Sequence, residues 1–216
     1  MRNHFEEQLE KLNVELMEMG ALCEQAIENT YKILDNADIE MIKDTRKKEA
    51  LIDHKEREIE NLCFELLLRQ QPVARDLRQV SAALKMVTDM ERIGDQASDI
   101  AEIVETVGAL ENSVAQPLED MANHTIKMVK GSVNAYVKAD LDLSKEVQKY
   151  DDVIDQNFVD IRKNLIDVIV KNPENGELAM DLLMIAKYYE RIGDHACNIA
   201  EWVEFSITGQ QKEEDE

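Results

Sequence analysis

The stretch ERIGDQASDIAE at residues 91–102 returns 99 positions later as ERIGDHACNIAE at 190–201, with nine of the twelve letters unchanged. A repeat on this scale limits the fold more than any single motif, because each copy has to form one unit of structure that packs against its twin. The repeat also reaches beyond the motif. Glu49, Leu51, Ile52 and Asp53 in EALID correspond to Asp151, Val153, Ile154 and Asp155 in DDVID at an offset of 102, so the second copy is three residues shorter in its later loop.

Within each copy the backbone signals are helical. Seven glycines and three prolines are few for 216 residues. Alternating β-branched runs are absent, and the good helix formers Leu, Glu, Met, Ala and Lys dominate. Pro72, Pro117 and Pro173 each separate two long periodic segments, where a fixed φ and a missing N–H suit a first helical turn. Asp38 in NADIE and Asp140 in KADLD read as further helix starts. Six helices are predicted, roughly 4–36, 38–70, 72–107, 117–138, 140–171 and 175–207, with the break between halves near VGALENSVAQP. The expected fold class is all-α, as two tandem pseudo-symmetric three-helix bundles. Residues 1–110 form the first bundle, 111–209 the second and 210–216 a solvated acidic tail.

Charge and cysteine usage narrow the function classes. The chain carries 46 acids against 25 bases, divided almost evenly: 25 and 14 through Glu111, then 21 and 11. Such a surface repels phosphate backbones, and no Lys/Arg cluster offers a local exception, so direct nucleic-acid binding is disfavoured. Metal cations or partner proteins suit it better. Cys23, Cys63 and Cys197 lie far apart without CxxC spacing, which points to neither a disulfide framework nor a thiolate zinc site. The charged start MRNHFEEQLE is unlike a signal peptide, and no apolar run is long enough to span a membrane. A soluble, cytoplasmic protein is predicted.

The acids fall on defined faces. At about 100° per residue, Glu91 and Asp95 lie roughly 40° apart, and Asp99 and Glu102 fall within the same stripe of about 80°. Ile93, Ala97, Ile100 and Val104 form a separate apolar stripe. The second copy repeats the acidic stripe with Glu190, Asp194, Asn198 and Glu201. The preceding helices add Glu49 with Asp53 and Asp151 with Asp155, again four residues apart. One such pair is usually a solvated face, since like charges at this spacing repel by a few tenths of a kcal/mol. Both copies nevertheless keep the Asp four residues after the Glu, beside a glycine that costs about 1 kcal/mol in a helix. Gly94 and Gly193 therefore imply a close helix approach. Clustered carboxylates without thiolates favour iron, manganese or magnesium, and zinc less readily. Geometry alone leaves a metal site and a solvated face both open.

The run RQQPVARDLRQVSAALKMVTDMERIGDQASDIAE, with its echo YYERIGDHACNIAEW, resembles the PhoU family of bacterial phosphate-signalling regulators. The likeness covers essentially the whole chain. It implies two three-helix bundles with multinuclear metal sites, of iron or zinc in some members, with manganese or magnesium as other candidates. On the matching positions the first site would use Glu49, Asp53, Glu91 and Asp95, and the second Asp151, Asp155, Glu190 and Asp194. One departure is that Asp151 stands where the first copy has Glu49. The resemblance also implies a role: negative regulation of phosphate uptake and of the phosphate-starvation response. Its expected partners are the ATPase subunit of the phosphate ABC transporter and a sensor histidine kinase, with a homodimer as the expected assembly. No Walker loop, GxSxG or nucleophile with an adjacent base is present, so no enzyme activity is expected.

Two other readings compete. A ferritin-like di-iron oxidase needs paired ExxH motifs, and none of His4, His54, His124 or His195 lies three residues after a Glu. A metal-free helical adaptor remains open. His195 is expected to make a structural hydrogen bond rather than serve as a ligand, because it points about 100° away from Asp194. Arg92 and Arg191 are expected to pair with acids or with the facing helix rather than contact phosphate, Arg75 and Arg78 to serve as cap ion pairs or partner contacts, and Trp202 to face the core. The ten methionines are read mostly as gap fillers between helices.

Overall fold

The computed structural model describes residues 2–69 and 73–210. Its elements are α1 (Arg2–Ile33), α2 (Ile39–Arg69), α3 (Ala74–Val107), α4 (Asn112–Lys138), α5 (Leu141–Lys171) and α6 (Gly176–Thr208), the last preceded by a 3-10 turn at Pro173–Asn175. No strand occurs among the described residues. The two expected aspartate starts are side-chain caps. Asp38 Oδ1 accepts from the N–H groups of Glu40 (2.9 Å) and Met41 (3.3 Å), and Asp140 Oδ1 accepts from that of Leu143 (3.0 Å). The residue before each cap, Ala37 and Ala139, has φ of 50°. These left-handed alanines are 102 residues apart, so the repeat preserves even a strained turn.

Pro117 departs from expectation. α4 begins at Asn112, with Glu111 O accepting from Val114 N and Ala115 N at 2.9 and 3.0 Å, so the proline lies inside the helix. It removes the hydrogen bond that Ser113 O would otherwise receive. The helix bears this cost because Ala115 and Leu118, on either side of the proline, are buried in the core. Pro173 does open a helical turn, but a 3-10 one, and α6 starts at Gly176. Pro72 and all but the first residue of the tail lie outside the described residues.

The helices α1–α3 pack on one another, as do α4–α6, and the two sets join through α3 against α6 and α1 against α4. One hydrophobic cluster runs through both sets. Asp89 of α3 meets His195 and Asn198 of α6, whereas Asp99 of α3 meets Tyr188, so these two helices cross antiparallel. Deeper in the molecule, the fully buried Tyr189 hydroxyl lies 2.9 Å from Thr30 Oγ1 and ties α6 to α1. Ile93, Ala97, Ile100 and Val104 are fully buried, as their spacing predicts. Trp202 packs against this core as expected, half-buried, its ring perpendicular to that of Phe205 and with Lys85 above it.

The two glycines explain how the second and third helices of each set come together. A Cβ on Gly94 would meet Ile52 Cδ1 at 3.0 Å and Cγ2 at 3.2 Å, and one on Gly193 would meet Ile154 Cδ1 at 3.0 Å. Gly94→Ala should therefore overpack this contact by about 1–3 kcal/mol, offset by about 1 kcal/mol of helix propensity. We expect a net loss of about 1 kcal/mol, read as a melting temperature lower by roughly 2–4 °C. Gly176→Ala, which enters open space, should leave the melt unchanged or raised. Equal behaviour of the two variants would refute the close-approach account.

Candidate metal centre

Glu49 and Asp53 stand one turn apart on α2, and Asp95 on α3 comes to meet them. Each offers a carboxylate oxygen, and the three oxygens lie within 4.8 Å of one another. All three residues are half-buried. The Gly94–Ile52 contact is the reason, because Ile52 lies between the two acids of α2 and Gly94 adjoins Asp95. Glu91, the fourth expected residue, keeps Oε2 buried with no hydrogen-bond partner. Arg92 Nε reaches within 3.4 Å of it without hydrogen-bond alignment, while Arg92 Nη1 bonds Asp95 Oδ2 at 2.9 Å. Arg92 thus pairs with acids, as anticipated.

The electrostatics of this seam are those of acids held against their own repulsion. Burial, then Asp53, Asp95 and Glu91, push Glu49 above the usual carboxylate range. Burial and then Asp95 do the same to Glu91. Glu56 is raised by burial and by Glu91, Glu60 and Asp53, which makes it a fifth acid of the seam. Sequence reading passed over it, although 49, 53 and 56 follow one helical stripe. Asp99 is raised by burial, Asp95 and Glu102, and it accepts a hydrogen bond from Tyr188 across the α3–α6 contact.

The second set is arranged differently. Asp151 is half-buried, whereas Asp155 and Asp194 are exposed. Among the described residues, only Glu49, Asp53 and Asp95 close into a triangle of ligand atoms. Glu190 instead pairs with Lys187 of the same helix. Burial, followed by Asp194, Asp155 and Glu190, pushes Asp151 up to about 6. Asp194 is raised by desolvation of its carboxyl and by Glu190, although the residue keeps an open surface. His195 makes the structural bond expected of it, with Nδ1 2.9 Å from Asp89 Oδ1.

An all-carboxylate donor set with a buried, unpartnered Glu91 oxygen fits a hard or borderline cation. In the first seam Glu49, Asp53, Asp95 and Glu91 are placed for that role. In the second seam Glu190 Oε2 is likewise buried without a hydrogen-bond partner, but no three ligand atoms converge there among the described residues, and Lys187 lies against Glu190.

A duplicated helical protein with a carboxylate seam between the second and third helices of each half is the class this geometry defines. The PhoU domain family model matches residues 16–104 and again 118–203, and the chain belongs to the PhoU family. A Clostridium acetobutylicum protein named phosphate-specific transport system accessory protein PhoU homolog is 36% identical over 212 residues, 97% of each chain. The crystal structure of PhoU from Pseudomonas aeruginosa superposes with a TM-score of 0.90 at 30% identity, covering 95% of this chain and 100% of that one. A Streptococcus pneumoniae phosphate transport system regulatory protein PhoU shares the fold, with a TM-score of 0.86 at 24% identity over 97% and 99% of the chains.

Asp151 supplies a pH prediction. Its folded value of about 6 exceeds the ordinary 3.8, so between these values the folded state holds the extra proton. The stability this group contributes is present below pH about 4 and lost as pH rises through about 6. In chelator at pH 7.5, Asp151→Asn should raise stability by about 1–2 kcal/mol after discounting for the half-open site. At pH 4 the variant and wild type should melt together. A shift of equal size at both pH values would show that the effect is not the carboxylate charge.

Proposed function

We propose that this chain is a negative regulator of phosphate uptake and of the phosphate-starvation response. It acts as a protein adaptor on the ATPase subunit of a phosphate ABC transporter and on a sensor histidine kinase. The observation that carries the phosphate role is the match to a phosphate transport accessory protein across 97% of both chains. The chain works through contacts in the cytoplasm, as a homodimer, and not as an enzyme. Among the described residues no helix is long and apolar enough to cross a membrane, which is consistent with an accessory subunit. The two repeats, 1–110 and 111–209, each present one acidic seam.

Metal is the second part of the reading. Iron or zinc, or else manganese or magnesium, would be held by Glu49, Asp53, Glu91 and Asp95, and by Asp151, Asp155, Glu190 and Asp194. What supports it is the Glu49–Asp53–Asp95 triangle. A bound cation would supply charge neutralisation and a clamp between helices. The residues themselves orient the oxygens and hold them at a spacing set by the core behind them.

Two measurements test the reading. Pull-down of the transporter ATPase by the full chain should succeed in wild type, and its failure with both candidate partners would sink the adaptor role. Elemental analysis of protein purified without a nickel column should find metal that Asp95→Asn with Asp194→Asn removes while helicity is retained. Each change keeps side-chain size but deletes a charged ligand. Chelator should lower the melting temperature of wild type and leave the double variant alone. An equal chelator shift in both would favour the metal-free adaptor.

A further inference from the structure

The two acidic seams have diverged at two positions, and the two changes work together. Where the first copy has Glu56, the second has Phe158 at the offset of 102, and where the first has Thr88, the second has Lys187 at the offset of 99. The Lys187 ammonium pairs with Glu190 and lies 5.5 Å from the centroid of the Phe158 ring. The aromatic face holds the ammonium, and the ammonium holds the acid. The Glu190 side chain is only 14% exposed and that of Lys187 42%, so the cation reaches onto the acid from the solvent side. The first seam's counterpart is Arg92, whose Nε lies 3.4 Å from Glu91 Oε2, but no aromatic ring stands against it among the described residues. The guanidiniums of this seam, Arg57 at 3.6 Å from Asp53 and Arg92 at 2.9 Å from Asp95, are more than half exposed at 67% and 53%. Its three oxygens close into a triangle, which no set of second-seam residues does among the described residues.

We propose that Lys187 is a built-in counter-cation of the second seam, so that the two repeats bind divalent metal unequally and the first seam is the exchangeable site. The inference rests on the metal-binding reading above. A divalent ion entering beside Glu190 has to displace the ammonium or remain next to it, and both penalise binding. At the first seam the incoming ion meets a closed triangle of carboxylates whose guanidinium partners are more exposed than Lys187 and can swing out to solvent. The chain thereby carries one responsive site and one fixed site on a pseudo-symmetric frame.

The test is titration of the full chain with Mn2+, read by calorimetry and by the electron paramagnetic resonance signal of free Mn2+. Lys187→Thr installs the first copy's own residue at a partly exposed position, and a circular dichroism melt checks that it folds. In wild type, tight Mn2+ binding should be lost in Asp95→Asn and kept in Asp194→Asn. Lys187→Thr should add a second class of sites at least about tenfold tighter than the same seam shows in wild type. That class should survive Asp95→Asn and vanish with Asp194→Asn. If Asp95→Asn and Asp194→Asn each remove half of the wild-type binding at equal affinity, or if Lys187→Thr changes nothing, Lys187 is not a counter-cation and the metal reading stands without it. If no variant takes up Mn2+, the metal reading fails and the proposal fails with it.

Discussion

Each seam depends on one apolar contact, the isoleucine of the second helix pressed against the glycine of the third. Ile52 is fully buried and follows Glu49 by three residues, with Asp53 next in sequence. The depth to which Ile52 sinks onto Gly94 therefore fixes how far the acids of α2 stand from Asp95. Any side chain at Gly94 would push the helices apart, and carboxylates left to themselves would do the same. The buried face resists both, because Ile93, Ala97 and Ile100 lie in the core beside this contact. The spacing of the oxygens is thus imposed from behind by packing, which is how a site is preorganised without its ligand.

The same helices that carry the acids also join the halves. Asp89 takes His195 and Asn198 across the α3–α6 crossing, and Asp99, on the acidic stripe, takes Tyr188. Positions 89 and 188 are equivalent in the repeat, as are 99 and 198. The crossing therefore reuses one pair of positions in two chemistries, Asp with Asn and His on one side, Tyr with Asp on the other. Asp99 feels Asp95 directly. A change of charge at the first seam consequently reaches a hydrogen bond between the two bundles within one helical turn.

Much of this was legible in the sequence. Helical angles separated the acids from the buried stripe, the paired aspartates marked the helix starts, and the glycines signalled a close approach. What escaped has particular causes. Pro117 obeys a local rule that tertiary burial of Ala115 and Leu118 overrides. Glu56 and Lys187 were missed for a common reason: comparing two copies of a repeat selects what they share. Glu56 opposite Phe158 and Thr88 opposite Lys187 look like noise in that comparison. Only the structure shows that Phe158 and Lys187 touch.

The energetic position of the acids argues for their purpose. Core packing needs Ile154 and Gly193 but not the Asp151 carboxylate, whose pKa of about 6 means that its charged form is disfavoured by the fold at neutral pH. Glu49, Glu91 and Glu56 are disfavoured in the same direction, chiefly by burial. With a net charge of −21 the chain has ample acids elsewhere for solubility. Groups that weaken the fold where they stand, and that packing does not require, are the residues expected at a functional site rather than at a scaffold position. Both repeats carry this cost on the same turn of the same two helices, and they relieve it differently, with exposed guanidiniums on Asp53 and Asp95 in the first and a ring-held ammonium on Glu190 in the second.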